Sequence, residues 1–110
     1  MVLVLGILRP RRVLVAGSSM EPTLSPGDRL LVMHAGRVKP GDLVALREPN
    51  DVSRVIVKRV AAVRRGEVVV LGDNPEASTD SRFFGPVPER AVLGRVVRRY
   101  GPAGRDGPVR

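Results

Sequence analysis

The sequence contains no cysteine and no tryptophan, one histidine (His34) and three aromatic residues in all. Without cysteine there can be no disulfide, no thiolate metal site and no cysteine nucleophile, and redox chemistry says nothing about compartment. A lone histidine does not make a zinc site, so no metal and no cofactor are expected. The formal charge of +8 invites a nucleic-acid reading. However, Phe83, Phe84 and Tyr100 are too few for a base-stacking platform, and no recognition-helix pattern is visible, so nucleic acid is not expected as a partner. Long apolar runs are also missing. The N-terminal stretch Val2–Leu8 is far short of the ~20 residues that span a bilayer. Its basic neighbours Arg9, Arg11 and Arg12 follow it, where a signal peptide would place them first. No transmembrane segment is expected, and a cytoplasmic setting follows, with weak contact of this apolar and basic segment with a membrane surface as the alternative.

What is present points to one domain. A chain of 110 residues with 43% apolar and 27% charged residues supports a single modest core, and 12 glycines and 10 prolines imply many turns between short elements. Strands are predicted at 13–16, 29–33, 43–46, 54–63, 67–71 and 91–100. Ser25-Pro26-Gly27-Asp28 and Lys39-Pro40-Gly41-Asp42 supply turns, and Arg64-Arg65-Gly66 a hairpin. The polar stretch Gly72–Arg82 is long for a loop in a compact domain, which marks it as functional. The expectation is a mainly β fold, a small twisted antiparallel barrel or sandwich with little helix. It comprises an N-terminal segment 1–12, a catalytic domain 13–100 and a tail 101–110, rich in glycine, proline and arginine, that is expected to fray.

Lys58, in "RVIVKRVAAV", is the most informative residue. Two of the 19 basic residues are lysines, and the other, Lys39, sits beside a turn. Alternation along a strand puts Ile56, Lys58, Val60 and Ala62 on one face and Val55, Val57, Ala61 and Val63 on the other, so Lys58 lies among apolar neighbours. An arginine cannot shed its proton near neutral pH, whereas a desolvated lysine can. Bringing its pKa from ~10.4 to about 7–8 costs on the order of 4 kcal/mol, which burial on an apolar face supplies. Taken alone, the same lysine reads more readily as one whose stem is buried and whose head reaches solvent at a strand end, and Ser18 and Ser19 shift that balance. "GSSMEPTL" (17–24) adds two serines at a strand-to-turn junction, where a hydroxyl is exposed to attack a carbonyl if a base lies within reach. His34, in "VMHAGR", has no supporting motif around it.

Four stretches, "GSSMEPTLSPGD" (17–28), "GDLVAL" (41–46), "VIVKRV" (55–60) and "GDNPEASTDSRFFGPVP" (72–88), resemble in order the boxes of bacterial type I signal peptidases, which are Ser–Lys dyad proteases with a β-barrel catalytic core. The resemblance runs from about Val13 to Tyr100. It implies Ser19 as nucleophile, Lys58 as general base and Ser78 as the hydroxyl that orients the lysine. Asp80 and Arg82 become a supporting pair, Gly72 and Asp73 the start of that box, and Gly17, Ser18 and Met20 oxyanion or substrate-binding positions. Gly17 stands where some members carry a serine hydroxyl that donates to the oxyanion, so the Ser19 N–H carries more of that task. Only 19 residues separate Lys58 from Ser78, which leaves no room for a large inserted domain. A small chain of this kind is most similar to the proteases that mature nickel-type superoxide dismutase. The implied function is a serine endopeptidase that removes an N-terminal propeptide from a precursor protein, nickel-type superoxide dismutase being the proposed partner. The alternative is a general type I signal peptidase acting on secreted preproteins at the membrane surface.

Overall fold

The computed structural model describes residues 10–34 and 36–109. The apolar stretch Val2–Leu8 lies outside them. Seven strands, β1 (Arg11–Leu14), β2 (Arg29–Met33), β3 (Leu43–Glu48), β4 (Asp51–Arg64), β5 (Glu67–Leu71), β6 (Val87–Pro88) and β7 (Val92–Gly101), form one antiparallel sheet in the order β1-β2-β7-β3-β4-β5-β6. Among the described residues the only α-helix is the single turn α1 (Ser81–Phe84). The architecture is mainly β with little helix, as the sequence implies.

Apolar alternation places the core on both faces of the sheet. In β3, Leu43 and Ala45 pack with Met20, Leu24, Leu30 and Val57, while Val44 and Leu46 pack with Val60, Val68 and Val70. A strand buried on both faces reads as a continuous apolar run, which is how Leu43–Leu46 reads. The β4–β5 hairpin turns through Arg65 (φ 52°) and Gly66 (φ 80°), a two-residue turn with both central residues in the left-handed region, whose twist suits antiparallel strands.

β4 departs from simple alternation. Val60 pairs with Val70 and Ala62 with Val69, so Ala61 is an extra residue without a partner. A one-residue bulge moves every later side chain to the opposite face. Val63 therefore joins the cluster of Val60, Val68 and Val70, and Ala62 leaves the face expected for it beside Lys58. The expected set holds from Ile56 through Val60.

The tail also departs from expectation. Arg99 and Gly107 exchange backbone hydrogen bonds of 2.8 and 2.7 Å, and Val109 packs on the core. Arg105 donates from Nε and a terminal nitrogen to Asp28, at 2.8 and 3.0 Å. Asp28 is 1% exposed and also accepts from Arg99 (3.0 Å) and the Ser25 N–H (2.9 Å). Composition alone missed this because one buried carboxylate can hold a segment that has little apolar surface of its own. The arginine contacts, Arg105 first, hold the Asp28 carboxyl at about 2, below its usual 3.8. With the folded pKa below the unfolded one, the stabilisation is complete above about pH 4 and lost as pH falls towards about 2. Asp28→Asn is expected to cost about 3 kcal/mol in urea unfolding at pH 7, because two arginines then face a neutral amide. The difference from wild type should shrink between pH 4 and pH 2.

Candidate active site

Residues 17–24 connect β1 to the core as a tight turn. Met20 (2% exposed) and Leu24 (fully buried) anchor it, and the Leu24 N–H donates to the Met20 carbonyl at 2.9 Å. Ser19 is thereby held one residue before a core anchor, with little freedom to swing. Lys58 lies on β4 just where pairing to β5 begins, since the first partners are Arg59 and Leu71. On that side Lys58 has no neighbouring strand, and the Ser19 turn takes the place beside it.

Lys58 Nζ is 2.8 Å from Ser19 Oγ and 3.2 Å from Ser78 Oγ, and the residue is 3% exposed. Burial is the largest influence on the amine and lowers its pKa from 10.5. The Asp80 charge opposes this, and Arg54 and Arg82 reinforce it. The head group is thus buried, and the solvent-reaching alternative for this lysine does not describe it.

Ser78 donates to Asp80 Oδ2 at 2.7 Å. Asp80 is fully buried and also accepts from the Gly72 N–H (2.8 Å), the Arg82 N–H (3.1 Å) and the Arg82 guanidinium (2.9 and 2.5 Å). Burial alone would raise its pKa. The donors, Arg82 foremost, overcome that and hold the carboxyl well below the usual carboxylate range. Asp80 is also the N-cap of α1, so one short helix turn fixes the acid and its arginine together. Gly72 is required by close approach: a Cβ there would stand 2.2 Å from Ser78 Oγ and 2.7 Å from the Ser19 carbonyl oxygen.

Asp73 forms a two-point ion pair with Arg59 (2.9 and 2.8 Å) and accepts from Thr23 Oγ1 at 2.6 Å. Its N–H donates to Met20 Sδ at 3.4 Å. Asp73 thus ties β4 to the serine turn and does not touch Lys58. Arg59, Thr23 and Asn74 belong to this framework and were not singled out from sequence, although Arg59 directly follows the lysine and Asn74 directly follows Asp73. Of the three remaining expected residues, Met20 is mainly a core anchor, Gly17 is exposed, and Ser18 is half-buried with its carbonyl engaged by the Glu21 N–H at 3.2 Å. His34 is exposed at the end of β2. Among the described residues no three His, Cys, Asp or Glu side chains come together as a metal site would require.

A cavity of about 330 Å³ opens beside the two side chains, with Val13–Met20 on one side and Arg54–Lys58 on the other. A buried amine with a lowered pKa, within hydrogen-bond reach of a fixed hydroxyl and beside an open cleft, is an arrangement that in its neutral form can deprotonate that hydroxyl for attack on a bound carbonyl.

Comparisons with known proteins point to a peptidase. The family described as signal peptidase, peptidase S26, matches residues 1–64 and 61–100. The mitochondrial ATP-independent inner membrane protease subunit 1a of Arabidopsis thaliana is 35% identical over 87% of this chain and 73% of its own length. The mitochondrial inner membrane protease subunit 1 of Xenopus tropicalis is 33% identical over 89% and 73%. The probable signal peptidase I-1 of Synechocystis is 26% identical over 84% and 72%. None of these three names speaks of nickel-type superoxide dismutase. Two place their proteins at an inner membrane, which overturns the cytoplasmic setting expected from the sequence. On the family match and the two mitochondrial relatives, the chain belongs to the signal peptidase family, peptidase S26, and is a serine peptidase.

Proposed function

We propose that the protein is a Ser–Lys endopeptidase that removes an N-terminal segment from a precursor protein at a membrane surface. The observation that carries this reading is the 2.8 Å approach of Ser19 Oγ to an amine that is 3% exposed. Neutral Lys58 accepts the Ser19 proton as the hydroxyl oxygen attacks the scissile carbonyl. The resulting ammonium then gives a proton to the leaving amine, and Lys58 next accepts a proton from the water that hydrolyses the acyl-enzyme. Ser78 holds the amine in line, and Asp80 holds Ser78.

The cleft favours an extended chain, since it runs between two extended segments, one of them the part of β4 that β5 does not cover. A substrate strand can pair with such an edge through its main chain. The wall side chains Ala16, Ile56 and Val57 are small or apolar, in keeping with the small residues that precede signal-peptide cleavage sites. Membrane association is supported by the names of the mitochondrial relatives and by the basic charge of +8. Among the described residues no helix is long and apolar enough to cross a membrane. The narrower substrate, a nickel-type superoxide dismutase precursor, rests on motif resemblance alone.

The test is to incubate the protein, with and without anionic vesicles, with a preprotein carrying an Ala-x-Ala cleavage site and, separately, with a dismutase precursor. The product's N-terminus is then read by intact mass. One defined cut of the preprotein, faster with vesicles, is expected, and cleavage of the dismutase precursor alone would reverse the choice of substrate. Ser19→Ala and Lys58→Ala should each lower kcat/KM by about 10³-fold or more, and Lys58→Arg should be no better, since a guanidinium keeps its proton. The rate should rise with pH through the lowered pKa of Lys58 and then level off, because the neutral amine is the active form. A rate that fell across that range would sink the base assignment. Gly72→Ala should lower kcat by about 10²-fold, since ~1 Å displacements of reacting groups cost that much.

A further inference from the structure

The stretch 72–74 meets the serine turn through a residue that the proposed chemistry does not use. Asn74 donates from its backbone N–H to the Ser19 carbonyl at 2.8 Å and from Nδ2 to the Ser18 carbonyl at 3.1 Å. Both partners are carbonyl oxygens, which can only accept, so the side-chain amide has one workable orientation. The two carbonyls belong to the peptide groups immediately before and after the nucleophile. One residue from outside the turn therefore restrains both peptide planes that flank Ser19, adding to the 3.2 Å bond that the Glu21 N–H donates to the Ser18 carbonyl within it.

The geometry points to Asn74 as a positioning residue that sets the oxyanion donor: by holding the Ser18 carbonyl it fixes the Ser18–Ser19 peptide plane and presents the Ser19 N–H to the developing negative charge. The Ser18–Ser19 peptide is trans. In a trans peptide the N–H and C=O point in opposite directions, so a carbonyl pinned towards Asn74 leaves the Ser19 N–H pointing away from it. That N–H has no intramolecular acceptor among the described residues. An unengaged donor on the nucleophile's own residue, beside the cleft, is what a tetrahedral oxyanion requires. Gly17 supplies no hydroxyl, so the orientation of this N–H matters more here. The second bond, to the Ser19 carbonyl, anchors Asn74 itself, so its side chain bears on Ser18 from a fixed base.

This inference rests on the Ser19–Lys58 reading above, and the experiment separates the two. Asn74→Ala and Asn74→Asp are compared with wild type, with Ser19→Ala and Lys58→Ala as controls, on the Ala-x-Ala preprotein. Affinity for a peptide aldehyde of the same sequence, which forms a tetrahedral adduct on a reactive serine, is measured in parallel. Asn74→Ala is expected to lower kcat by about 10–100-fold with KM within about twofold, and to weaken aldehyde binding by the same factor as kcat. The pH midpoint should not move, since Lys58 and Ser78 are untouched. Asn74→Asp should be slower still, because a carboxylate faces the Ser18 carbonyl with no proton to donate. A kcat within twofold of wild type, a moved pH midpoint, or a loss that follows the melting temperature instead of the aldehyde affinity would overturn the assignment. If Ser19→Ala or Lys58→Ala still cleaves, the dyad itself fails. If both are dead and Asn74→Ala is as fast as wild type, only the role of Asn74 fails.

Discussion

A serine hydroxyl gives up its proton only to a base that is itself free of one, and an amine is free of its proton near neutral pH only where water cannot solvate the charge. The arrangement around Lys58 answers to that constraint. The residue is 3% exposed on a strand between two apolar clusters, and burial outweighs the nearby Asp80 charge in setting its pKa. Asp80, which holds Ser78, is paired with Arg82, whose charge partly offsets the pull of the carboxylate on the amine. Burial lowers the amine's pKa, while Ser78 and the Asp80–Arg82 pair fix its position.

The scaffold meets a second constraint, that the serine and the lysine come from segments 39 residues apart in the chain and still meet within hydrogen-bond distance. Three ties bring them together. Met20 and Leu24 sink the serine turn into the core, Asp73 joins Arg59 on β4 to Thr23 on the turn, and Gly72 lets the loop approach Ser78 and Ser19 closely. The ties join segments remote in sequence, and two of them use a direct neighbour of a dyad residue, Met20 beside Ser19 and Arg59 beside Lys58. A framework of this kind holds Ser19 and Lys58 together by a few specific contacts. Asp28 does similar work at the other end, holding the tail through Arg105.

The strands of the fold were legible because apolar alternation and Pro-Gly turns are local signals. β2 and β5 lie where the pattern puts them, and the β4–β5 hairpin is there, with Arg65 and Gly66 as its two turn residues. What was not legible depends on pairing. The bulge at Ala61 leaves no mark in composition, β6 is only two residues long, and the docking of the tail rests on a single buried carboxylate. The cytoplasmic expectation failed for another reason: it rested on the lack of a long apolar run, whereas the names of two relatives place those proteins at an inner membrane, and contact with a membrane surface was the alternative that the sequence left open.

The sequence by itself determined which chemistry was open to the protein. With no cysteine and one unsupported histidine, a scarce lysine on an apolar strand face and a serine at a turn made a coherent candidate pair, and the motif order resembled that of one family. Only the tertiary structure decided how that pair is held. It set the distance from Ser19 to Lys58, the burial that lowers the amine's pKa, the framework of Arg59, Asp73 and Thr23, and the grip of Asn74 on the carbonyls beside the serine. Spacing along a chain reports residue type and local conformation, whereas distance and desolvation arise when segments remote in sequence exclude water from one another.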